Sequence, residues 1–394
     1  MILMDLSHTS HTHARTGVQR VARNLHQTIL DSGTACTPLT WDPYRRQWRT
    51  LLPSEQRALS EASPADVRKA KWPWPQRVRG YLQRWLNSPP SALPPATGFI
   101  MPEIFSPGVA QALPSLLSTI QGPRIALFHD AVALRLPELS PPKTVARFPA
   151  YLQELLVFDG IAAISEESRA ALEDWWNWLG IKHRRPALIA LPLAIDTPSP
   201  DTVLARTSSV PIVLAVGSLE GRKNHLALLE ACETLWQQGH AFELRLIGLS
   251  QHQTGGKALT RVRELQTAGR PLRYDGAVDE RSLIAAYHEC AFTVYPSVME
   301  GFGLPVLESI SYGKACICSA RGALGESARG GGCLALPEVD ASSLASAIAW
   351  LLTKPDQLHY LSSVARKRVV KSWPTYTREL LDWMTTLTPR STTS

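Results

Sequence analysis

No stretch of 18 uninterrupted apolar residues occurs in the 394-residue chain, so no helix is expected to cross a bilayer. The first ten residues carry neither a basic n-region nor a long apolar h-region. The expected setting is therefore soluble and cytoplasmic, with peripheral attachment to the inner face of the membrane as the alternative. Charged residues are sparse at 19%, whereas 44% of residues are hydrophobic, which excludes wholesale disorder and provides for large cores. The six cysteines lack metal-pair spacing: Cys316 and Cys318 leave one residue between them inside an apolar run, against about two to four for zinc thiolates. Buried, reduced thiols are the reading. Neither zinc-finger spacing nor an RNP-type aromatic strand is present, which argues against nucleic acid as a partner. Lys257, after Gly255 and Gly256, lacks the earlier glycine and the Ser/Thr of a P-loop.

What is present is an alternation of short apolar strands and helical patterns, the mark of α/β domains with parallel sheets. The length suits two domains of roughly 200 residues each. In the second half the strand 211–216 ends at Gly217, and a helix over 224–238 stops at Gly239. Strand 242–247, helix 281–289, strand 291–295 and a helix over 304–312 with Pro305 in its first turn follow. The first half is less regular, with strands at 2–6, 124–128 and 160–164 and a helix at 18–30. Four prolines within 89–95 mark a loop. The polar stretch 196–209, with Pro198 and Pro200, is the expected boundary, so that residues 1–196 form one domain and 210–370 the other.

The net charge of +7 is uneven. Residues 41–86 hold ten Lys/Arg against four acids, together with five of the twelve tryptophans: Trp41, Trp48, Trp72, Trp74 and Trp85. Such a segment either attracts anionic surfaces such as lipid headgroups, or forms an Arg-rich pair of helices whose tryptophans close a satellite core.

The sharpest chemical feature is the run Ser297-Val-Met-Glu300-Gly-Phe302-Gly303-Leu304-Pro-Val-Leu-Glu308. Two carboxylates stand eight positions apart astride a strand-to-helix turn. The glycines allow close backbone approach, and the helix N-terminus suits a phosphate. Carboxylates repel phosphate, so Glu300 and Glu308 are suited to accept hydrogen bonds from sugar hydroxyls on either side of a diphosphate. A second constellation, Gly217-Ser218-Leu-Glu-Gly-Arg222-Lys223-Asn-His, places adjacent cations at a strand's carboxyl end, where α/β sheets bind ligands. Arg222 and Lys223 there can neutralise a diphosphate without a metal. His8, His11 and His13 sit in a Ser/Thr-rich loop without fixed register or an acidic partner at ligand spacing, which favours a polar loop over a metal site.

Taken together, the order Gly-x-Leu-x-x-Arg-Lys-Asn, then Gly276-x-Val278, then Pro-Ser-x-x-Glu-Gly-Phe-Gly-Leu-Pro-x-Leu-Glu resembles the GT-B nucleotide-sugar glycosyltransferases. It is most similar to the retaining family 4 with its Glu-x7-Glu signature, densely over 211–326 and thinly elsewhere. Thr16-Gly17-Val-Gln-Arg resembles the family's glycine loop. His129-Asp130 with Leu136-Pro137-Glu138 is similar to its HD…P-E stretch, Ser165-Glu166 to its S-E-x-S segment, and 373–383 to its C-terminal helix.

The resemblance implies two Rossmann-like domains facing across a cleft: an acceptor domain (1–196, with a helix over 373–386 crossing back onto it) and a donor domain (210–370). It assigns ribose hydroxyls to Glu308 and hydroxyls of the transferred sugar to Glu300. Backbone N–H groups of Phe302, Gly303 and Leu304, with Lys223, take the diphosphate, and Gly17 faces the donor. His129 and Asp130 line the acceptor side. Many members carry Arg where this chain has Ser218, and Arg222 is a candidate for that charge. The implied activity is a metal-independent, retaining hexosyl transfer, mannose favoured, from a nucleoside diphosphate sugar to a glycan or lipid-linked glycan in cell-envelope polysaccharide synthesis, without a cofactor and with domain closure gating turnover. A nucleotide-sugar epimerase and a non-catalytic GT-B scaffold are the alternatives.

Overall fold

The computed structural model describes residues 1–12, 17–60, 71–89, 91–183, 185–196 and 210–390. His13, Thr16, Pro90, Pro198 and Pro200 lie outside these. The chain forms two compact units: one of Met1–Asp130, Pro149–Leu193 and Trp373–Ser394, the other of Ala131–Phe148 and Ala194–Ser372. Residues 131–148, inside the range assigned above to the first domain, therefore cluster with the second unit.

The first unit contains β1 (Ile2–Asp5), β2 (Cys36–Asp42), β3 (Gln47–Thr50), β4 (Gly98–Met101), β5 (Arg124–Phe128), β6 (Gly160–Ala163) and β7 (Ala187–Ala190). Their order is β3-β2-β1-β4-β5-β6-β7, parallel except for the antiparallel β2–β3 pair. Strands β1, β4, β5 and β6 are buried at every position, and correspondingly read as short apolar runs. Arg124 opens β5 as a buried cation. Its Nε lies 2.7 Å from Asp159 Oδ2 and its Nη2 2.8 Å from Oδ1, and the same carboxylate accepts from Arg390 N at 2.8 Å. The helix Trp373–Thr385 belongs to this unit, burying Tyr376, Leu380 and Met384, and Thr377 is hydrogen-bonded to Thr28 of the helix Gly17–Asp31.

The turn after β1 is tied down by a buried acid from the end of β4. Glu103 accepts from His8 N and Thr9 N, each at 2.9 Å, and from the Thr9 hydroxyl. His11 Nε2 meets Glu55 Oε1 at 2.9 Å, its ring stacks on Trp72 at 3.7 Å, and Arg49 joins Glu55 to Asp42. A polar loop was expected for these histidines. His11 instead has an acidic partner 44 residues away in sequence, which no local spacing could disclose. Among the described residues no group of His, Cys, Asp and Glu is arranged to hold a metal ion.

The second unit contains β8 (Ile212–Val216), β9 (Glu243–Ile247), β10 (Leu272–Tyr274), β11 (Phe292–Tyr295), β12 (Cys316–Ser319) and β13 (Cys333–Leu336), all parallel, in the order β10-β9-β8-β11-β12-β13. Alternation along β8 sends Val213 and Ala215 into a core with Leu228, Leu229 and Cys232 of the helix His225–Gln237, and Leu214 into a second core with Ala286 and Tyr287 of the helix Glu280–Glu289. The sheet is thus covered on both faces, and all six cysteines are free thiols. With β8 flanked by β9 on one side and β11 on the other, successive strands are added outward in opposite directions from the β8–β11 pair. That is the switch point at which open α/β sheets bind ligands.

Candidate active site

Both sequence constellations emerge at this switch point. Beyond β8, the turn Gly221–Lys223 leads through Asn224, held in the left-handed region at φ 55°, into the helix His225–Gln237. Beyond β11, the chain runs through Ser297 to Gly303 and into the helix Leu304–Ser311. Val298 N donates to Arg222 O at 2.9 Å and ties the two loops together.

The side chains meet as a compact ionic cluster. Lys223 Nζ lies 2.6 Å from Glu300 Oε1, Arg222 pairs with Glu300 Oε2, and Arg222 Nη2 lies 3.0 Å from Glu220 Oε1. Lys223, only 8% exposed, also donates to Tyr295 Oη and sits 4.6 Å above the Tyr295 ring. Burial alone would raise the Glu300 pKa, but Arg222 and Lys223 outweigh it and bring the carboxyl down to about 2. Burial pushes the Lys223 ammonium below its usual value, opposed by Glu300. It also raises the Tyr295 phenol well above its usual value, so the phenol keeps its proton. Two cations are thereby concentrated at the strand ends, each already balanced by a carboxylate.

Gly303 occupies the left-handed region at φ 103° and caps the helix Leu304–Ser311, a backbone state that side chains other than glycine rarely take. Ser327 Oγ donates to Phe302 O at 2.8 Å and fixes the preceding turn. With Pro305 in the first turn, the amides at this helix start are oriented along the helix axis away from its body. One turn further in, Glu308 is buried and accepts from Tyr287 Oη at 3.0 Å. Tyr287 itself stacks on Tyr312 at 4.8 Å. Glu220, Tyr295 and Tyr287 had no sequence signal of their own. Tyr287 lies 21 residues before its carboxylate partner and reaches it only because its helix packs on the same face of the sheet. Ser218 is half-buried just beyond β8.

The remaining candidates lie in the first unit. His129 follows β5 and is buried, with Nε2 2.7 Å from Pro102 O. A carbonyl only accepts, so Nε2 carries the proton in that contact. Burial lowers the pKa, partly offset by Pro102 and Asp130, which favours a neutral imidazole. Asp130 is half-buried beside it, and Gly17 is the exposed first residue of the helix Gly17–Asp31. Ser165, in the S-E-x-S segment, accepts from Ser168 N at 3.0 Å as the N-cap of the helix Glu166–Trp178, a complete structural role.

Residues 202–368 match the family model of glycosyl transferases group 1. Over 336 residues the chain is 24% identical to the serotype-specific mannosyltransferase WbdA of Escherichia coli, covering 78% of this chain and 37% of that protein. The chain thus spans little more than a third of the length of that relative. Among solved structures, the sucrose-phosphate synthase of Thermosynechococcus elongatus aligns with a TM-score of 0.68 at 18% identity, covering 98% of both chains. A trehalose-6-phosphate structure from E. coli bound with UDP-2-fluoro glucose aligns with a TM-score of 0.67 at 12% identity, covering 99% of this chain and 100% of that one. The fold is GT-B.

Proposed function

We propose that the chain is a retaining glycosyltransferase that moves a hexose, mannose favoured, from a nucleoside diphosphate sugar to a glycan or lipid-linked glycan acceptor in cell-envelope polysaccharide synthesis. The observation that carries this is the convergence of Lys223, Arg222, Glu300 and the start of the helix bearing Glu308 on one switch point. The mannosyltransferase relative and the UDP-sugar bound to a GT-B neighbour support the choice of donor class and sugar.

The main chemical demand in such a transfer is the negative charge that develops on the leaving diphosphate. Lys223 and Arg222, together with the amides of Phe302, Gly303 and Leu304, are arranged to meet it without reorganising a helix or strand. Glu300 pairs with both cations. A bound donor would draw them towards phosphate and leave the Glu300 oxygens as acceptors for hydroxyls of the transferred sugar. Glu308, oriented by Tyr287, would accept from the ribose. His129 and Asp130 are proposed for the acceptor side, His129 as a neutral group.

Two measurements test this reading. Glu308→Ala is expected to weaken nucleotide-sugar binding about tenfold, the loss of one charged hydrogen bond, read as a smaller thermal shift in a panel of nucleotides and their sugars. An unchanged shift would remove Glu308 from the donor site. Transfer is also expected to persist in excess EDTA, because Lys223 and Arg222 are proposed to supply beside the diphosphate the positive charge that a divalent ion would otherwise bring. Full dependence on a divalent ion would overturn the metal-independent reading, and donor conversion without acceptor would favour an epimerase.

A further inference from the structure

The helix Trp74–Trp85 is attached to the first unit by the wrong face for an ordinary surface helix. Trp74, Val78, Tyr81 and Trp85 recur at helical spacing along one stripe, with Leu82 and then Leu86 on its flank. Apart from the half-buried Val78, this apolar stripe is turned to solvent: Trp74 is 73% exposed, Tyr81 57%, Leu82 52%, Trp85 80% and Leu86 64%. The buried position is Gly80, where a Cβ would come within 2.7 Å of Tyr44 Cβ, so glycine is what lets the helix lie against the turn after β2. Gln76 and Gln83 are half-buried beside it. Polar residues and a glycine thus face the protein, Tyr81 lies edge-on to Tyr44 at 5.2 Å, and Trp74 and Trp85 face outward.

The charge around the stripe has one sign. Residues 71–89 contain Lys71, Arg77, Arg79 and Arg84 and no acid, and all four cations are exposed. Arg77, Arg79 and Arg84 border the stripe by their positions in the helix. An apolar band of this size, edged by cations alone, is unusual on a surface that meets only water. No helix among the described residues is long and apolar enough to cross a membrane. A short helix with aromatics on one face and arginines along its borders is suited to lie in the plane of an anionic interface, rings among the acyl boundary and guanidinium groups at the phosphates.

We propose that the segment 71–89 docks the first unit on an anionic phospholipid bilayer. The proposal does not rest on the transfer reaction, and its test needs no substrate. The full chain is mixed with phosphatidylcholine vesicles, with or without about 30% phosphatidylglycerol, and recovered by flotation. Wild-type protein is expected to float with the anionic vesicles and to be released by high salt. The triple variant Arg77→Gln/Arg79→Gln/Arg84→Gln should partition about a hundredfold less, at roughly fivefold per arginine. Trp74→Ser/Trp85→Ser should lose about tenfold or more through its apolar contacts. Trp74, Trp85, Arg79 and Arg84 are exposed, and Arg77 makes a surface hydrogen bond to Trp72 O at 2.8 Å beside the Tyr44 ring, so the thermal unfolding midpoints should stay close to wild type and show that the variants are folded. Brominated acyl chains should quench wild-type fluorescence more than that of Trp74→Phe/Trp85→Phe. Equal, salt-insensitive recovery with neutral and anionic vesicles would overturn the proposal, as would variants that float like wild type. Self-association, or retention of an oligonucleotide, that disappears in the variants without any vesicle binding would also overturn it.

Discussion

Lys223→Ala is expected to lower kcat/KM for sugar transfer by about two to three orders of magnitude, equivalent to ~2.7–4 kcal/mol of lost transition-state stabilisation. The size follows from where the ammonium sits. Lys223 is almost wholly buried just beyond the carboxyl end of β8, and Tyr295 and Glu300 hold it in place. A charge already desolvated and oriented needs little rearrangement as a phosphate becomes more negative, so most of its effect should appear in kcat. Glu300 retains Arg222 in this variant, so the loop keeps an ion pair and the fold should survive. Steady-state kinetics beside a thermal melt would separate the effects. Near-wild-type kcat/KM would take Lys223 out of the reaction, whereas a collapsed melting midpoint would assign it to stability. Arg222→Ala should cost less, since its side chain is about a quarter exposed and shared with Glu220.

Between pH 6.5 and 8, the first unit is expected to lose on the order of 2 kcal/mol of stability relative to its Glu103→Gln variant as pH rises. Burial lifts the Glu103 carboxyl from 4.5 to about 8, with the neighbouring Asp5 carboxylate adding to the rise, and burial lifts Asp5 to about 6. A carboxyl whose folded pKa is raised binds more protons folded than unfolded, so its contribution is complete at low pH and disappears as pH climbs through the folded value. His8, His26 and His129 have lowered pKa values, chiefly from burial, and act in the opposite sense below their unfolded value near 6.5. Glu55 and Asp159, paired with arginine, lose their contribution only in acid. At the lower end of this window the unfolded histidines still hold protons and offset part of the fall, so the comparison with Glu103→Gln, which shares those histidines, isolates the acid pair. Across the window the urea midpoint of wild type should fall relative to that of Glu103→Gln. Midpoints that run parallel would show that Glu103 is ionised in the folded chain.

The donor-side unit was largely legible because its signals are local. Strand 211–216, the helix after Asn224, strand 291–295 and the helix after Gly303 appear within a residue or two of the expected bounds, each being an apolar run with a glycine or proline at one of its ends. The first unit was harder to read. Strand β2 carries a proline and a mixed burial pattern, and β4 and β7 are only four residues long, so neither periodicity nor length marks them. The tryptophans of 41–86 were expected either at an anionic surface or in one satellite core. They divide instead: Trp48 is buried on the β2–β3 hairpin, Trp72 packs on His11, and Trp74 and Trp85 are exposed. Within the site, Glu300, Glu308, Arg222 and Lys223 could be named from one stretch each. That Glu300 binds both cations could not, because the contact joins residues 77 and more apart and arises only when β11 is laid beside β8.

The discontinuity of the first unit bears on how the chain matures on the ribosome. Its strands β1–β7 are all synthesised before residue 191, yet the helix Trp373–Thr385 and the Arg390 clasp on Asp159 emerge roughly 180 residues later. The half made first must wait, with the docking place for that helix uncovered, while Ala194–Ser372 is produced and can complete its own sheet. Nascent chains stalled before residue 373 should accordingly show a protease-resistant later portion and a more readily digested earlier one, the reverse of the order of synthesis.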